Sequence, residues 1–375
     1  MNRRANDITT NIRRLALMAL GFALVFVIGD QVLGRVAWTD IYGTRNGSLW
    51  KWDLFNRCDR TPDVVFIGTS QTLFAVSPAV IDSAAARLTG RDVTSLNMSS
   101  AGASALTQYL LTRRIVESGK LPRIVYLEIA PGSVDVSLVD WLASGLRALG
   151  EARDLPLAAS VGGALFWETL RTCALRSYHR WDDVRLMVGR LAIGAPVNPN
   201  TKYQRSPKGW ARRMGQIKTT RDVTNAGDYD PSGVRYAGLQ ANSVNTLALR
   251  RTIDLLEAAG VEVRLLEIPV ASIAAPWDRP AGNAPYQAVI QEVTAGRCNP
   301  IVRPPPDLVD DEDFFDPAHM NGSGAEKFSQ WLSQDVAHAL RRISLRRDDP
   351  AQRLKKLEDS QAGGDEDDRP AEDVG

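Results

Sequence analysis

Three residue types in this sequence have the makings of covalent acyl chemistry. The stretch FFDPAHMNGSGAEKF, residues 314–328, holds His319, one of only three histidines in 375 residues, with Asp316 three positions before it. Far upstream, VVFIGTSQT ends an apolar run on Gly68, Thr69 and Ser70. A serine hydroxyl is a weak nucleophile until an imidazole takes its proton, and the imidazole needs a partner to fix its tautomer and balance its charge. Ser70, His319 and Asp316 can fill these three roles. The chemistry also needs backbone donors where negative charge develops on the reacting carbonyl, and a glycine allows close approach there. The amides of Ser70 and of Gly102, in NMSSAGAS, are the candidates. The plain alternative is a serine that caps a helix and a histidine in a solvated loop.

The elements needed to bring these residues together can be read from the apolar pattern. Short β-branched runs at 63–67, 93–96, 123–129 (RIVYLEI) and 261–268 (VEVRLLEI) suit buried parallel strands. Segments with apolar residues at helical spacing, 78–88, 105–118 and 244–259, lie between them, so the expected class is α/β with one parallel sheet. Ser323 and Glu326 fit a capping box, which predicts a helix over 324–342 that leaves His319 in the turn before it. Ser70 follows the first strand, and ligands gather at the C-terminal edges of such strands. The GxSxG elbow of α/β-hydrolases is absent around it.

Composition excludes little beyond the extremes. The chain is 44% apolar, and 45 Lys and Arg against 44 Asp and Glu leave a net charge of +1, so no global field points to nucleic acid. Cys58, Cys173 and Cys298 lack zinc spacing and read as small core residues, with one disulfide open. No metal or cofactor motif is present. Residues 15–29 are uncharged and follow Arg3, Arg4, Arg13 and Arg14, which predicts a retained signal anchor over 15–35, with 1–14 cytoplasmic. A cleaved signal peptide is the rival, and no convincing cleavage site follows the run. The expected order is then a Trp-rich juxtamembrane segment at 36–60, a catalytic domain at 61–345 and a charged, disordered tail at 346–375. An insertion at 133–240, helical to about 195 and then polar, should lie outside the sheet core. Its Lys202, Arg205, Lys208, Arg212, Arg213, Lys218 and Arg221, with Tyr203 and Trp210, offer either an anionic-polymer or sugar surface or a solvated face.

VVFIGTSQT, NMSSAGAS and FDPAHMNGSGA together resemble blocks one, two and five of the SGNH, or GDSL-like, hydrolase superfamily, in the same order. The resemblance covers about residues 60–130 and 245–345. It implies a three-layer, flavodoxin-like α/β fold, Ser70 as nucleophile, Gly102 as an oxyanion donor, and Asp316 with His319 completing a triad, without a cofactor. Thr69 stands where the family usually has Asp. In block three, YLEIAPGSV aligns Glu128 with an acidic residue and puts Gly132 where the family has an oxyanion Asn. With an N-terminal anchor, the chain is similar to extracytoplasmic proteins that work beside membrane-bound O-acyltransferases in alginate O-acetylation and in D-alanyl transfer to teichoic acids. The implied activity is transfer or hydrolysis of a small acyl group, foremost acetyl, on an envelope or secreted polysaccharide. The alternative is a weak or inactive polysaccharide-binding scaffold on the same fold.

Overall fold

The computed structural model describes residues 2–35, 47–135, 137, 139–175, 192, 203–205, 208, 210–213, 239–240, 242–272, 274 and 283–347. In chain order the elements are α1 (Asn2–Arg35), α2 (Gly47–Asn56), β1 (Val64–Ile67), α3 (Ser70–Ala75), α4 (Pro78–Thr89), β2 (Ser95–Asn97), α5 (Ala105–Glu117) and β3 (Ile124–Glu128). There follow α6 (Pro131–Val134), α7 (Val139–Leu149), α8 (Leu155–Val161), α9 (Gly163–Ala174), β4 (Tyr203–Arg205) and β5 (Ala211–Arg213). The chain closes with α10 (Val244–Ala258), β6 (Glu262–Leu266), α11 (Ala284–Thr294), β7 (Ile301–Val302), β8 (Phe314–Asp316), β9 (His319–Met320) and α12 (Gly322–Arg347). The tail at 348–375 lies outside the described residues.

Five parallel strands form one sheet in the order β2-β1-β3-β6-β7. The four expected strands are all in it; β7, only two residues long, is an addition. The chain moves outward from β1 in one direction to β2 and in the other to β3, so the strand order reverses beside β1, where an open α/β sheet leaves a crevice. Side chains alternate along each strand, so one β1 face gives Val65 and Ile67 to a core with α2, α5, α7, α10 and α11, and the other gives Val64 and Phe66 to a core with α4 and α12. The result is the expected three-layer α/β arrangement.

Four expectations need revision. Residues 47–56 are not outside the domain: Leu49 and Phe55 of α2 are buried in the larger core. The first part of the insertion is likewise inside it, through Leu142, Leu146 and Leu149 of α7 and Leu165 of α9. Arg113 of α5 holds Asp154 there with two hydrogen bonds of 2.6 and 2.9 Å. The cap of the last helix is Asn321, whose side-chain oxygen accepts from the amides of Ser323 and Gly324, so the helix starts two residues before the predicted position. Cys58, Cys173 and Cys298 are free, and the last two are exposed rather than in the core.

The N-terminal apolar run forms part of α1, where Leu17, Leu20, Phe22 and Val25 are exposed. Among the described residues, however, no helix is long and apolar enough to cross a membrane. Charge spacing is the reason: the uncharged stretch at 15–29 is closed by Arg14 and Asp30, short of the roughly 20 apolar residues a span requires.

Candidate active site

Ser70 is the first residue of α3, directly after the turn that ends β1. Its hydroxyl lies 2.7 Å from Nε2 of His319, across 249 positions of sequence. Nδ1 of His319 lies 2.7 and 2.8 Å from the two carboxylate oxygens of Asp316. With Nδ1 protonated toward Asp316, Nε2 accepts from the serine hydroxyl, which is the tautomer a general base needs. The histidine and aspartate are close because β8 and β9 form a tight hairpin in which they face each other. Oδ1 of Asp316 also accepts from the amides of Ala318 and His319, at 3.1 and 3.0 Å, so the carboxylate shapes the loop as well as the imidazole.

The hairpin is fixed in turn by Asn321, whose backbone amide donates to the Asp313 backbone carbonyl at 2.9 Å and whose side-chain amide donates to the Glu312 backbone carbonyl at 2.7 Å. Gly324 packs so closely that a Cβ would lie 2.4 Å from the Asp313 carbonyl oxygen. Phe74 meets the His319 ring edge to face, with centroids 5.3 Å apart. Sequence reasoning missed this contact, although Phe74 is four residues after Ser70 and so on the same helix face.

The nucleophile turn is organised by a buried acid. Glu128, at the end of β3, is fully buried and accepts from four donors: Oε2 takes the amides of Thr69 (2.8 Å) and Thr72 (3.1 Å) and the Thr72 hydroxyl, and Oε1 takes the Thr69 hydroxyl (2.6 Å). Burial pushes its carboxyl pKa up from the ordinary value, and the four hydrogen bonds oppose the rise. Gly68 makes the approach possible, since a Cβ there would lie 2.3 Å from Oε2 of Glu128. Thr69 caps α3 by accepting from the Gln71 amide at 3.1 Å.

Gly102 sits in the turn after β2 with φ of 69°, a left-handed conformation that favours glycine, and the Trp141 indole covers it at 3.6 Å from the position of a Cβ. Among the described residues, neither the Gly102 amide nor the Ser70 amide has an acceptor. Gly132, at the expected Asn position, lies in the short α6, so no side-chain amide comes from there. Beside Gln71, a cavity of about 460 Å³ opens over the ends of β3, β6 and β7, walled by Ile129, Ala130, Ile268 and Ile290. Its size is that of a small-molecule site.

Two insertion residues reach this region. Lys208 pairs with Asp82, whose carboxyl pKa burial raises, and its carbonyl accepts from the Asn97 amide at 3.0 Å. The Trp210 indole donates to the Phe74 carbonyl at 3.0 Å. Both therefore brace the site from within the protein. The other basic and aromatic side chains singled out in this insertion lie outside the described residues.

No protein-family profile matches the sequence, and no curated protein matches it. Among solved structures, the chain is similar to the lipase/acylhydrolase from Enterococcus faecalis, at 11% identity and a TM-score of 0.35, over 74% of this chain and 96% of that one. That likeness is too distant to assign fold or activity.

Proposed function

We propose that this chain is a serine ester hydrolase or O-acyltransferase working through an acyl-enzyme on Ser70. The observation that carries the reading is the continuous hydrogen-bonded chain from Ser70 through His319 to Asp316. In the first half-reaction Oγ of Ser70 attacks the ester carbonyl and its proton passes to Nε2 of His319. The carbonyl π electrons move to the oxygen, which the amides of Ser70 and Gly102 stabilise. Collapse breaks the bond to the alcohol, which leaves with the proton from Nε2. In the second, water or a sugar hydroxyl gives its proton to Nε2 and attacks the acyl carbon, and Ser70 recovers its proton as it departs.

The substrate in this reading is a small acyl ester, acetyl foremost, of an envelope or secreted polysaccharide, and the partner is a membrane-bound O-acyltransferase. The resemblance of the three sequence blocks supports that choice. The proposed location is the cytoplasmic membrane, with one span and the domain outside the cytoplasm. It is supported by the exposed apolar side chains of α1 and the arginines before them, and requires Asp30 to sit at the far interface.

Steady-state hydrolysis of 4-nitrophenyl acetate tests the chemistry. Ser70→Ala and His319→Ala should each remove nearly all activity, the double variant should lose little more, and Asp316→Asn should be milder. A folded Ser70→Ala protein with unchanged kcat would reject the mechanism, and an inactive wild type would favour the scaffold alternative.

A further inference from the structure

The helix α2, which precedes the sheet in the chain, touches the loop that leads to Gly102. Lys51 of α2 is fully buried, its ammonium donates to the Asn97 carbonyl at 2.6 Å and it lies 4.6 Å from the centroid of the Trp50 ring. Burying an ammonium is costly unless it makes strong hydrogen bonds, and an aliphatic residue would fill a buried helix position without that cost. The group it holds is a junction. Asn97 ends β2, and its side-chain amide donates at 2.9 Å to the carbonyls of both Thr72 and Val76, at the C-terminal end of α3. Its side-chain oxygen accepts from the Ser99 amide at 3.0 Å.

One turn earlier in α2, the Ser48 hydroxyl meets that of Ser100 at 2.9 Å, and a Cβ on Gly47 would lie 2.9 Å from the Cβ of Ser100. On its other side the same loop is bound to β1 and the turn after it: the Met98 amide donates to the Phe66 carbonyl at 2.7 Å, and the Ser100 amide to that of Gly68 at 3.1 Å. Residues 97–100 are thus clamped between α2 and β1 immediately before Gly102.

We infer that α2 is a positioning element of the active site: Lys51 and Ser48 fix the loop that carries the Gly102 amide and, through Asn97, the helix that begins at Ser70. This rests on the serine-ester reading above. Lys51 and Ser48 act through Asn97 and Ser100, so they are positioning residues, and their loss should weaken transition-state stabilisation rather than ground-state binding.

The test compares full-length wild type, Lys51→Met and Ser48→Ala in detergent. The readouts are kcat and KM for 4-nitrophenyl acetate, and the affinity for phenylboronic acid, which forms a tetrahedral adduct on an active serine. Losing a whole oxyanion donor costs about 10²–10³ in kcat, so displacing one should cost roughly tenfold in Lys51→Met and a few fold in Ser48→Ala. KM should stay within about twofold, and boronate affinity should weaken in step with kcat. If Lys51→Met does not fold, Ser48→Ala decides. A residue that serves stability alone would lower the melting temperature and leave kcat per folded molecule and boronate affinity intact; that result overturns the inference. An inactive wild type that binds no boronate would instead refute the serine-ester reading, and this inference with it.

Discussion

Replacing Glu128 by Gln keeps the shape of the side chain and removes its charge, so the four hydrogen bonds it accepts determine the outcome. Oε2 takes both backbone amides and the Thr72 hydroxyl, and Oε1 takes only the Thr69 hydroxyl. The glutamine oxygen should therefore occupy the Oε2 position, which leaves its NH2 facing the Thr69 hydroxyl. That hydroxyl already accepts from the Gln71 amide, and in Glu128→Gln its own proton loses its acceptor. One buried polar group left unsatisfied costs about 1–3 kcal/mol. The expected destabilisation is about 1–3 kcal/mol, with a kcat loss of roughly tenfold as the Ser70 turn loosens. Chemical denaturation at several pH values checks the first figure, and ester hydrolysis the second. The pH adds a sign: burial raises the folded carboxyl pKa above its ordinary 4.5, so the folded state holds the proton longer than the unfolded one. The group's contribution to stability is then full below about pH 4.5 and falls as pH rises through the raised value. The gap between wild type and Glu128→Gln should narrow accordingly. A variant equal to wild type in stability at every pH and in kcat would refute the reasoning.

Gly324→Ala would drive a methyl group to 2.4 Å from the Asp313 carbonyl, so the loop that carries His319 must shift; stability should drop by about 1–3 kcal/mol and kcat should fall, read by thermal unfolding and ester hydrolysis. A reporter active only outside the cytoplasm, fused after Arg347, should be active if the N-terminal helix anchors the chain as proposed; activity from a cytoplasm-only reporter at the same point would reject that placement.

The residues at the centre of the site were legible because few residue types do this chemistry and two of them are spaced for it. Ser70 was placed by the β-branched run before it, and Asp316 and His319 by the turn residues around them. Their meeting depends on long-range packing that no local pattern encodes. The longer strands were readable for the same reason that β7 was not: Ile301–Val302 is too short to show a pattern. Lys51 falls in the Trp-rich segment expected to lie beside the membrane, and only tertiary contact reveals it as buried. Asn321 and Ser323 are both good helix caps, and backbone geometry chose the first. Glu128 stands out in the sequence as an acid in an apolar strand, but its partners lie 56 to 59 positions away.

The most direct test of the central claim is intact-mass analysis of the full-length protein after treatment with a fluorophosphonate, which phosphonylates only an activated serine. The account predicts one adduct per chain, mapped by peptide sequencing to Ser70, absent in Ser70→Ala and formed far more slowly in His319→Ala. A folded wild-type protein that takes up no label, or takes it up elsewhere with Ser70 unmodified, would contradict it.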